Sequence, residues 1–289
     1  MKLLLTDQAI SPTIPVLGHV RPAFPRHDRW GTRMILPRRY PLLFALCLWA
    51  SGAELAWATG WKSQHEAGGL SIRAEFPLRE VQSLVDEVSA LQGDIEATLG
   101  LEASDRPIEV YLFASKGSYS AYVAQRVPEG VKRRALYVQG KDAGRIYAYR
   151  HREMEIDVRH EATHAILHNC LPFVPLWLDE GLAEYFEVPA VDRKLKNPHF
   201  SGIKWARRLG GRPNLAALEK KRDLLDMDGD DYRDAWAVVH FMLHGPPAAR
   251  KVLDDYFRAS INGDVPQPFA EAFPARLGNW GTLFSQHFR

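Results

Sequence analysis

Apolar and polar positions alternate with a period of two over residues 70–76, which predicts a half-buried strand. Over 78–99 the period changes to that of a helix. Val81, Leu84, Val85, Val88, Leu91 and Ile95 fall on one face, and Gly100 follows as a C-cap. Residues 108–113 are nearly continuous in apolar character and predict a strand buried on both faces. Residues 116–127 read as a helix that starts near Ser115. The short runs 135–138 and 145–149 are joined by a connection with Gly140 and Gly144 at its ends, which predicts a hairpin.

The helical period then dominates. Over 153–168, Val158, Ala162, Ala165 and Ile166 share one face, and Asp157, His160, Glu161 and His164 lie on others. Over 177–187, Leu178, Leu182, Tyr185 and Phe186 form the apolar face, and Glu180, Glu184 and Glu187 the polar one. Residues 188–230 are rich in Pro and Gly and read as irregular, with a short helix at 213–218. The run 226–231 has acidic spacing that suggests a calcium loop. Its glycine is misplaced and no Glu stands at the twelfth position, so it reads instead as the acidic start of a helix over 232–244. Residues 248–257 and 268–288 are helical. Strands first and helices after define an α+β chain. The expected lobes are 59–190, with about four strands, and a helical 191–289. No internal repeat appears.

Composition is that of an ordinary globular protein, and a formal net charge of +2 points to neither nucleic acid nor an anionic membrane as main partner. The N-terminal region reads differently from the rest. Residues 1–33 are a non-structural extension or a mis-assigned start. Residues 34–58 combine Arg38 and Arg39, an apolar run from Leu42 to Trp49, and Ala56-Trp57-Ala58. Those are the three parts of a cleavable signal peptide, and the apolar run is too short to span a bilayer. The expected mature protein is therefore periplasmic or extracellular, with no stable membrane span. Its single cysteine, Cys170, reads as a buried free thiol; oligomeric state is not legible.

The chemistry concentrates in Arg159-His160-Glu161-Ala162-Thr163-His164 and Trp177-Leu178-Asp179-Glu180-Gly181-Leu182-Ala183-Glu184. Histidines four apart on a helix aim two imidazoles at one point. Two imidazoles and one carboxylate suit a zinc ion with one open position, and Glu180 is the best third ligand. Glu161 stands where it reaches a water on that metal. Ligand histidines commonly give their second N–H to a carboxylate, and Glu184 and Asp179 are assigned that role. His168 reads as exposed or capping.

His160-Glu161-x-x-His164 followed by Trp177-Leu178-x-Glu180-Gly181-x-Ala183 resembles the gluzincin metallopeptidases. It is most similar to the bacterial peptidase MA-like domains. The motif covers about thirty residues, and weaker similarity continues through 232–236. One departure is the interval of fifteen residues between His164 and Glu180, shorter than in the aminopeptidase and thermolysin-like branches. The resemblance implies a gluzincin-like fold, with a small mixed sheet, an active-site helix and a mainly helical C-terminal lobe. It implies one Zn2+ held by His160, His164 and Glu180, Glu161 as general base, and a peptide or protein substrate. It further implies that 145–149 is the sheet edge on which substrate lies, and that Tyr232 donates to the oxyanion. The alternatives are a zinc-binding pseudoenzyme and a metal-free envelope interaction domain.

Overall fold

The structure, a computed structural model, describes residues 60–208 and 211–289. The expected signal peptide lies outside the described residues. Five strands form one mixed sheet: β1 (Ser63–Ala67), β2 (Leu70–Ala74), β3 (Ile108–Phe113), β4 (Ala135–Gln139) and β5 (Gly144–Tyr149). Their order is β1-β2-β3-β5-β4. The β2–β3 and β3–β5 pairs are parallel, and the two outer pairs are antiparallel.

The helices are α1 (Gln82–Leu99), α2 (Lys116–Val123), α3 (Met154–Cys170), α4 (Leu176–Phe186), α5 (His199–Arg208), α6 (Leu215–Leu218), α7 (Gly229–His244), α8 (Pro247–Asn262), α9 (Phe269–Leu277) and α10 (Trp280–His287). The chain is thus α+β, as its periodicities predict.

The hairpin of β4 and β5 forms where expected, with Tyr137 opposite Ile146. The edge assignment is corrected. β5 is interior, because it pairs with β3 on one side and β4 on the other, and Ile146 and Ala148 are fully buried. The free edge near α3 is β4. β1 was not legible, since Ser63–Ala67 is polar and only half-buried; pairing with β2 holds it. α5 was also missed, because only Ile203 among its described residues is buried and Gly202 weakens its helical propensity. The run 268–288 is two helices, broken at Gly278, whose φ of +62° a side chain would strain. Asp228 caps α7 by accepting from Asp230 N and Asp231 N, so the acidic run does serve as a helix start.

Both faces of the sheet are covered. One side carries an aromatic group of Tyr111, Phe113, Tyr119 and Tyr147, with Trp61 and Tyr122 against it. The other side joins a core that runs without interruption from Leu70 to Phe288, so residues on both sides of position 190 share it. Its centre is the packing of α4 on α7, with Trp177 and Trp236 both fully buried. Burying two such side chains contributes several kcal/mol. This packing fixes the face of α4 that looks back at α3. Among the described residues, no helix is long and apolar enough to cross a membrane.

Candidate metal centre

α3 sorts its side chains as its sequence predicts. Val158, Ala162, Ala165 and Ile166 are buried in the core, and the opposite side carries the polar motif. The His160 and His164 rings lie 4.9 Å apart between centroids. His160 Nε2 is 3.5 Å from one Glu180 oxygen, and His164 Nε2 is 3.7 Å from the other. One ligand atom from each of the three lies within 4.8 Å of the others, a spacing at which they could hold a single ion. The two outward nitrogens are also occupied. His160 Nδ1 is 3.1 Å from Glu187 Oε2, and His164 Nδ1 is 3.0 Å from Asp179 Oδ1. An imidazole that donates from Nδ1 keeps its Nε2 lone pair for a cation, and the His160–Glu187 hydrogen bond sets that orientation for His160, while Asp179 meets His164 as a close ion-pair contact.

Three of the five assigned metal-centre residues therefore converge directly, and Asp179 supports one of them. Glu184 does not take its assigned place. Its Oε2 is 2.8 Å from His199 Nε2, and the carboxylate hydrogen-bonded to the candidate ligand His160 belongs to Glu187. The two acids lie on one helix face at adjacent turns, so periodicity could not choose between them. Arg159 makes the choice in three dimensions. It is buried, it bonds Glu87 through Nη1 at 2.6 Å, and its Nε donates to the carbonyl of Glu187. This draws the end of α4 onto α3. No sequence signal marked Glu187 beyond its place on the polar face. His168 is not a free cap: its Nε2 is 2.9 Å from Asp179 Oδ2, so Asp179 bridges two histidines.

The charges follow from this packing. Burial alone would lower the His164 pKa, but Asp179 and Glu180 outweigh it and carry the imidazole up to about 9. Burial likewise opposes the charge of His160, and the carboxylates of Glu180 and Glu187 hold it well above its ordinary value. Burial pushes the Asp179 carboxyl up, yet His164 and His168 hold it below the usual carboxylate range. A cation held by both Nε2 atoms would stand in place of the protons that these carboxylates favour. The donor set of two nitrogens and one carboxylate fits zinc.

Glu161 lies beside the ligands and accepts a hydrogen bond from the backbone N–H of Tyr137, on the β4 edge, at 2.7 Å. Glu161 and His160 line a cavity of about 480 Å³ that Arg133, Arg134, Asp157 and Glu187 also wall. Tyr232, on the first turn of α7, is half-buried against the core. Its phenol is held protonated by burial first, and then by the Glu180 and Glu184 carboxylates. Cys170 is a free thiol, half-buried at the end of α3; burial first, and Glu96 after it, push it up to about 11.

The profile of a family described as a protein of unknown function (DUF1570) matches residues 156–260. That span carries every residue assigned to the centre, from His160 to Tyr232. No curated protein matches the chain.

Proposed function

We propose that this protein is an exported zinc-dependent peptidase, with His160, His164 and Glu180 as ligands and Glu161 as general base. One observation carries the reading: the convergence of both Nε2 atoms on the two oxygens of Glu180, with a carboxylate within 3.1 Å of each opposite nitrogen. Export is supported by the leader-like pattern at 34–58.

Zinc bound there would supply Lewis-acid polarisation of a scissile carbonyl and a water of lowered pKa. The chain's own residues would do the rest. Asp179 and Glu187 hold the two imidazoles in the ligating tautomer. Glu161 takes a proton from the attacking water onto its carboxylate and returns it to the leaving amine as the C–N bond breaks. The N–H of Tyr137 keeps that carboxylate beside the cavity. The Tyr232 phenol stays protonated and so remains able to donate to the oxygen that gains charge.

Zinc content and peptide turnover test this together. Wild type is expected to hold about one zinc per chain, and His160→Ala none. Glu161→Gln is expected to keep zinc and lose roughly 10²- to 10⁴-fold in rate. A folded wild type that takes up no zinc, or a Glu161→Gln variant that cleaves as fast as wild type, would overturn the reading.

A further inference from the structure

We propose that Arg133 binds a carboxylate of the substrate, so that the cleft selects acidic peptides; this rests on the peptidase reading above. The argument is a charge account of the cavity wall. Arg134 is held by Glu153 and, at 3.0 Å, by Asp157. Asp157 also meets His151 at 3.1 Å. Glu184 is paired with His199 and Glu187 with His160. Each acid of that wall other than Glu161 thus has a basic partner. Arg133 is the exception on the basic side. It is exposed, it lines the same cavity, and among the described residues its guanidinium makes no ion pair or hydrogen bond. A cationic substrate group finds only Glu161, the proposed general base, without a basic partner, whereas an anionic one meets a guanidinium already free.

Its position gives that charge a use. Arg133 has extended backbone, with φ −82° and ψ 157°, and leads directly into β4, the free edge beside Glu161. Four residues separate Arg133 from Tyr137, about 13 Å along an extended strand. The selected carboxylate therefore lies within about four residues of the scissile bond. It is an Asp or Glu side chain or the C-terminal carboxylate of a short peptide.

The test uses the zinc-loaded full chain with matched peptides. One set exchanges Asp or Glu for Asn or Gln, and the other exchanges a free C-terminus for an amide. Wild type is expected to prefer the charged member by about tenfold in kcat/KM, mostly through KM, as a partly exposed charge-assisted bond allows. Arg133→Ala is expected to bring that ratio to one, Arg133→Lys to keep part of it, and Arg133→Glu to turn it toward Lys-bearing peptides. Loss of the preference on amidation alone assigns the C-terminal carboxylate; loss on the side-chain exchange alone assigns Asp or Glu. A wild type indifferent to charge, or a preference that survives Arg133→Ala, overturns the proposal while the peptidase stands. If nothing is cleaved, the peptidase reading fails instead. Fluorescence anisotropy of labelled charged and uncharged peptides on the same protein then decides Arg133, and equal binding overturns it.

Discussion

Asp179 Oδ1 lies 3.0 Å from His164 Nδ1, and the other oxygen of Asp179 lies 2.9 Å from His168 Nε2. One buried carboxylate thus stands against the ring of a proposed metal ligand and is itself held by a second histidine one turn on. Asp179→Asn is expected to weaken zinc binding roughly 10- to 100-fold while leaving the fold intact. Competition against a chelator of known affinity measures this. An unchanged affinity would mean that the His164 ring is oriented by helix packing alone.

Glu187 and Glu184 make a sharper comparison, because they share a helix and a face. Glu187 stands against the proposed ligand His160, and Glu184 against His199, which lies outside the proposed ligand set. Glu187→Gln is expected to lower zinc affinity roughly tenfold, and Glu184→Gln by much less. The same chelator competition separates them, and equal effects would remove the distinction drawn from the geometry.

Gly181 follows Glu180 at the contact of α4 with α7. A Cβ there would stand 2.8 Å from the backbone of Ala235 and 3.0 Å from Val239 Cγ2. Backbone cannot yield as a side-chain tip does. Gly181→Ala is expected to cost roughly 1–3 kcal/mol of stability by overpacking. It would also push Glu180 from the histidines, so zinc content should fall together with the melting temperature. Thermal unfolding with and without zinc reads both effects.

A histidine away from the centre governs acid stability. His240 is buried; its Nε2 is 2.8 Å from the Lys194 carbonyl and must donate to it, so its Nδ1 accepts from His287 Nε2 at 2.9 Å. Burial first, and then the neighbouring His244 and His287, lower its pKa to about 4. The unfolded chain binds a proton near pH 6.5 that the folded chain refuses until about pH 4. Its contribution is therefore complete above pH 6.5 and lost as pH falls toward 4, about 3 kcal/mol in all. Denaturant unfolding between pH 7 and 4 should show the loss, and His240→Gln should flatten it.

Much of this protein was legible in one dimension. The period of two marked β2, the glycine-ended connection marked the hairpin, and the period of 3.6 marked α1, α3, α4 and α7. The same rule set His160 and His164 side by side, since residues four apart on a helix are neighbours whatever surrounds them. Glu180 followed from the next helix and its polar face. Elements held from outside stayed hidden: β1 has no apolar face of its own, and α5 has few buried residues.

What tertiary structure alone decided are choices between equivalents. β4 rather than β5 is the edge, because a parallel partner, β3, takes the other side of β5. Glu187 rather than Glu184 meets His160, because Arg159 pins the end of α4. Arg133 rather than Arg134 is left free, because Glu153 and Asp157 claim the latter. Each outcome depends on which neighbour the fold brings in from a distant part of the chain. Local periodicity carries the direction in which a side chain points, but the identity of what it meets there is set only when the core closes.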